Sequence, residues 1–90
     1  MQSYLAEAYV PRPRAHELYA QERRARAAAR DLCAEGTAIR FVRSIFVPAD
    51  EICLLVFDAA SAEAVGEACA RAAVRLERVV EAIDSRKGKT

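Results

Sequence analysis

Hydrophobic residues in two segments of the chain recur at helical spacing. In residues 14–35, Leu18, Ala25 and Leu32 fall on one face of a helix, and Gly36 follows as a residue that can end it in the left-handed conformation. The second segment begins at Ser61, a good N-cap residue, and keeps small apolar residues on one face as far as residue 72. The sequence therefore predicts two amphipathic helices.

Four other segments are typical of β-strands. Residues 4–8 and 77–83 alternate between apolar and polar side chains, while residues 37–47 and 52–57 are rich in β-branched and aromatic side chains. The polar turn 48–51 joins the middle two strands into a hairpin. Taken with the helices, this predicts the order β-α-β-β-α-β.

That order is the ferredoxin-like arrangement of the α+β class, a name that implies no iron–sulfur cluster. We expect a four-stranded antiparallel sheet with two helices on one face. Residues 1–84 form a single domain in this interpretation, and residues 85–90 form a flexible C-terminal tail.

The hairpin also predicts that something covers the sheet face opposite the helices. In the second predicted strand, Phe41, Ile45 and Val47 fall on one face, whereas Val42 and Phe46 fall on the other. The third strand is apolar on both faces. In a chain of 90 residues the natural cover is a second copy, so we expect a homodimer packed through the open sheet face as a dimeric α+β barrel-like assembly.

Composition excludes several classes of function. A net charge of +1 gives no electrostatic reason to bind nucleic acid, and no apolar run reaches the roughly 20 residues that a membrane helix needs. The sequence contains no glycine-rich phosphate loop, so nothing in it predicts a nucleotide site. The three cysteines, Cys33, Cys53 and Cys69, are odd in number and widely spaced, which predicts free, buried thiols in a cytoplasmic protein.

Two glutamates and one histidine are the candidate metal ligands. Glu7 and Glu81 lie in the middle of predicted strands with apolar neighbours, and a buried carboxylate can bind a metal or transfer a proton. Alternatively, each is solvated at a strand end or paired with an arginine such as Arg43 or Arg78. His16 would add the nitrogen ligand that suits Ni(II) or another divalent transition metal, although a lone histidine near a helix start is more often a surface residue.

Four segments resemble a family of small bacterial proteins described as nickel-binding or as a domain of unknown function: residues 4–7 (YLAE), 43–51 (RSIFVPADE), 57–65 (FDAASAEAV) and 78–82 (RVVEA). The resemblance spans residues 4–83 and implies a ferredoxin-like dimer that, in some members, binds nickel in the cytoplasm. This chain has Ala8 where the family usually has arginine. It also reads Ala73-Val74-Arg75-Leu76 where the family usually has a Gly-Leu-Pro turn.

These observations favour a small cytoplasmic homodimeric ligand-binding protein, with nickel or another divalent transition metal as the ligand, over an enzyme. The alternative is a cofactor-free dimeric α+β barrel enzyme, similar to isomerases or monooxygenases, with a glutamate as general base in the cavity. A third hypothesis, an assembly partner of a larger enzyme, has no residue pattern that tests it.

Overall fold

The computed structural model of the protein describes residues 1–85. A short 3-10 helix, Arg12–Glu17, leads directly into the first α-helix. The other elements follow the predicted order: β1 Gln2–Tyr9, α1 Leu18–Ala34, β2 Ile39–Val47, β3 Ile52–Ala59, α2 Ala62–Arg71 and β4 Leu76–Ala82. The predicted tail falls almost wholly outside the described residues.

The four strands form one antiparallel sheet in the order β2-β3-β1-β4. This is the ferredoxin-like order, so the predicted fold is confirmed. Each βαβ crossover places its helix over the same face, where both helices pack against the sheet and against each other. No helix among residues 1–85 is both long enough and apolar enough to cross a membrane.

The core lies between the helices and this helix face of the sheet. Leu55 and Phe57 of β3 are fully buried there, and the Phe57 ring meets Phe41 edge to face with 5.3 Å between centroids. Small residues of both helices complete the core: Ala25, Ala28 and Ala29 from α1, and Ala64, Ala68 and Cys69 from α2. Their short side chains let the helices lie close to the sheet.

A β-bulge in β2 corrects the predicted faces of that strand. Phe41 pairs with Phe57 and Arg43 pairs with Val56, so Val42 is an extra residue between them. The insertion reverses the alternation beyond it, because side chains alternate with a period of two. Ile45 therefore lies on the face opposite Phe41, whereas the uninterrupted pattern predicted the same face.

The start of α1 also differs from the prediction, which placed it at residue 14. Pro11 and Pro13 lack an amide hydrogen, and the chain there forms a 3-10 turn in which Arg14 N–H donates to Pro11 O at 2.8 Å. The α-helical pattern begins only at Leu18. The 3-10 segment directs the chain from the end of β1 back over the sheet.

Both α-helices end in the same Schellman motif, with a left-handed residue just beyond the helix. In α1 this residue is Gly36, at φ 104°, and Thr37 N–H donates to Leu32 O at 2.9 Å. In α2 it is Ala73, at φ 58°, and Val74 N–H donates to Cys69 O, also at 2.9 Å. The turn before β4 thus forms without the glycine of the resembled family.

Candidate functional site

The sheet face opposite the helices is the candidate site, and we call it the open face. The strand register places seven large apolar side chains on it: Leu5, Ile45, Val47, Ile52, Leu54, Val56 and Val80. All are half-buried except Ile45, which is exposed. No helix or loop of residues 1–85 packs over their centre, so the open face is a broad apolar surface.

One ion pair crosses the open face between β1 and β4. Arg78 Nε donates to Glu7 Oε2 at 3.1 Å, and the two residues are direct register partners. The Glu7 side chain is only 20% exposed, because the apolar side chains of the neighbouring strands surround it. Among residues 1–85, Glu7 Oε1 accepts no hydrogen bond, so this oxygen remains accessible to solvent.

A second charged group lies at the end of the face where β1 begins. The carboxylate of Asp58 is 2% exposed, and it accepts hydrogen bonds from Arg40 Nη2 at 2.6 Å and from Ser3 Oγ at 3.2 Å. Hydrogen bonds to a charged partner such as the Arg40 guanidinium are shorter and stronger than those between neutral groups. Arg43, beside Val56, forms no ion pair within residues 1–85. The open face therefore carries charges of both signs around its apolar centre.

Glu51 fixes the other end of the face. It accepts hydrogen bonds from the Arg12 backbone N–H at 2.6 Å and from Tyr9 Oη at 3.1 Å. These contacts lower the pKa of the Glu51 carboxyl, the Arg12 amide contributing most. Glu51 also occupies a left-handed conformation, at φ 54°, which is strained for this residue type. The sequence indicated only a polar turn here, and its long-range contacts had no local signal.

The three predicted metal ligands lie apart within one chain. Glu7 is on the open face, whereas Glu81 is exposed on the helix side at the sheet edge, because its register partner is Tyr4. His16 is exposed on the 3-10 helix, with Nδ1 3.2 Å from Pro13 O and Nε2 3.8 Å from Glu17. Across residues 1–85, no three or more histidine, cysteine, aspartate or glutamate side chains form a group that could hold a metal.

The alternative interpretation of the glutamates matches this placement: Glu7 pairs with Arg78, and Glu81 is solvated near the end of its strand.

The cysteines are free, but they are not all buried as predicted. Cys53 and Cys69 are fully buried, whereas Cys33 is exposed on α1 because it lies outside the apolar stripe that packs on the sheet. Burial raises the pKa of Cys53, although a hydrogen bond from Gln21 opposes it, and raises the pKa of Cys69 to about 12. Neither buried thiol is a candidate nucleophile.

Comparison with known proteins supports the fold. No protein-family model matches the sequence, and no curated protein matches it. Among solved structures, the chain is similar to the crystal structure of SCO4226 from Streptomyces coelicolor A3(2), with a TM-score of 0.76 and 18% sequence identity. The match covers 92% of this chain and 98% of that one. At this identity the likeness shows a shared α+β fold.

Proposed function

We propose that this protein is a cytoplasmic, homodimeric ligand-binding protein in which two open faces pack together and the ligand lies between them. The observation that carries the proposal is the apolar centre of the open face, which no described element covers. An apolar patch with a polar rim is the usual form of an interaction site. Three free cysteines fit a reducing compartment.

A second copy is the occupant that the charges favour. In a twofold dimer the same patch meets itself, so it must be complementary to itself. The open face satisfies this requirement because, within residues 1–85, it carries a cation without an ion pair, Arg43, and a carboxylate with one oxygen free of hydrogen bonds, Glu7, next to its apolar centre. A chain of this length also gains stability from assembly, since small domains bury a modest fraction of their surface.

The ligand would meet an apolar wall with one polar anchor, the Glu7–Arg78 pair. Pockets that bind small molecules commonly combine mostly apolar walls with a few placed polar groups. Arg78 already occupies Glu7 Oε2, which leaves Oε1 as the carboxylate oxygen free to accept from a ligand. The geometry therefore fits binding, and no observation favours the alternative in which Glu7 acts as a general base.

Sedimentation analysis tests the dimer. Leu54→Lys places a charge at the centre of the open face of each copy, and each lost leucine contact is worth about 1.5–3 kcal/mol. Two copies together should weaken association by roughly 10²–10⁴-fold. Ile83→Lys is the matched control, because Ile83 is 90% exposed and follows the end of β4. A native protein that is a folded monomer at micromolar concentration would refute the proposal.

Nickel or another divalent transition metal is the ligand that the resemblance implies, and it needs a separate test. Glu7, Glu81 and His16 do not form a donor set within residues 1–85 of one chain, and Glu81 and His16 lie off the open face, so a site that uses all three would need a contact between copies other than the one through the open faces. Calorimetric titration of metal-free protein with Ni(II) should give heat that Glu7→Gln, Glu81→Gln or His16→Ala reduces. No heat above buffer, or equal binding in all three variants, would remove nickel and leave the dimer untouched.

A further inference from the structure

A cavity lies on the other side of the sheet, away from the open face. It is a groove of about 630 Å³ between the C-terminal half of α1 and the beginning of β2, the edge strand. On the helix side, the small side chains of Ala29 and Cys33 leave room for the groove. On the strand side, Ile39 and Phe41 form its apolar wall. Its volume is within the range of about 300–1,000 Å³ common for small-molecule sites.

Among residues 1–85, every charged side chain that lines this groove is that of an arginine. Arg26 lies 4.9 Å from the centroid of the Phe41 ring and contacts Glu22 at 3.5 Å, and Arg40 is held by Asp58. Arg30 forms no ion pair within residues 1–85. The groove thus combines an apolar floor with one unpaired guanidinium at its rim.

We propose that this groove binds an amphiphilic carboxylate of the medium-chain fatty-acid class. The alkyl chain would lie along the apolar floor, and the carboxylate would accept two parallel hydrogen bonds from Arg30, for which a planar guanidinium is well suited. A cationic amphiphile would find no partner among residues 1–85, because none of the carboxylates in this range lines the groove. The apolar floor of the groove is separate from the open face, since Ile39 and Phe41 belong to the helix face, and only Arg40, through Asp58, connects the two.

Calorimetric titration with dodecanoate, below its micelle concentration and at low salt, tests the proposal. Dodecyltrimethylammonium, with the same chain and the opposite charge, is the control ligand. Arg30→Gln should weaken dodecanoate binding about tenfold or more, because it removes a charged hydrogen-bonding partner. Arg23→Gln is the control variant: Arg23 lies on the same helix, stacks on Tyr19 and does not line the groove.

The Cys33 thiol locates the bound ligand, because it is exposed and lines the groove. Saturating dodecanoate should slow its reaction with Ellman's reagent in the native protein and not in Arg30→Gln. Equal binding of the two amphiphiles, or full binding without protection of Cys33, would overturn the proposal. It would also fail if Cys33 were protected without ligand in proportion to protein concentration, since a second copy would then occupy the groove.

Discussion

Replacing Ala73 with glycine should stabilise the protein. Ala73 occupies the left-handed position that ends α2, at φ 58°, and its side chain is exposed, so the substitution removes no core contact. An L-residue in this conformation is strained by about 1–2 kcal/mol, a cost that glycine does not have. Glycine also makes the unfolded chain more flexible, which lowers the free energy of unfolding by about 0.4–1 kcal/mol. The net gain should be about 0.5–1 kcal/mol.

Urea unfolding followed by circular dichroism measures this gain directly. For a domain of this size, it corresponds to a rise in the thermal midpoint of about 2–8 °C. All variants are compared at one protein concentration, because assembly also changes the apparent stability.

Ala27→Gly is the matched control, since it makes the same chemical change at an exposed position inside α1. There the residue has ordinary helical geometry, and glycine should cost about 1 kcal/mol. The two variants must therefore change stability in opposite directions. If Ala73→Gly lowers the urea midpoint as Ala27→Gly does, the left-handed geometry at Ala73 does not control the stability of this turn.

Two further outcomes follow from burial and from charge. Ellman's reagent should titrate one thiol, Cys33, rapidly in the native protein and three after unfolding, because burial raises the pKa of Cys53 and Cys69; rapid reaction of a second native thiol would contradict this. The contacts of Glu51 lower its pKa in the folded protein below the ordinary value of 4.5. They therefore stabilise the fold fully above pH 4.5, and this stabilisation is lost as the pH falls through the lower pKa of the folded state. The free energy of unfolding in urea should therefore fall less between about pH 6 and about pH 3 for Glu51→Gln than for the native protein. Equal falls would show that the contacts of Glu51 with Arg12 and Tyr9 do not contribute to stability.

Local patterns were sufficient to predict the elements and their order. Helical spacing and strand-like composition identified all six, since each is encoded by neighbouring residues. The errors occurred where the backbone departs from regular geometry. A 3-10 turn at Pro11 and Pro13 replaces the predicted first turn of α1. The bulge at Val42 places Ile45 on the sheet face opposite the one that regular alternation predicted.

The candidate site was predictable only in part. The hairpin correctly indicated apolar side chains on the sheet face opposite the helices, and Arg78 was one of two partners considered for Glu7. The position of Glu81 was not predictable, because its face depends on the register between β1 and β4. The contacts of Glu51 with Tyr9 and Arg12 join residues about 40 positions apart, and no sequence pattern marks them.

The sequence by itself determined the class of fold, because helix and strand periodicity and the turn residues act over a few neighbouring positions. Tertiary structure alone decided which side chains share a surface: Glu7 with Arg78 on the open face, and Arg30 beside the wall of the edge strand. The physical reason is that the facing of a strand residue depends on register and bulges, which the partner strand sets. Binding surfaces are built from such non-local neighbours.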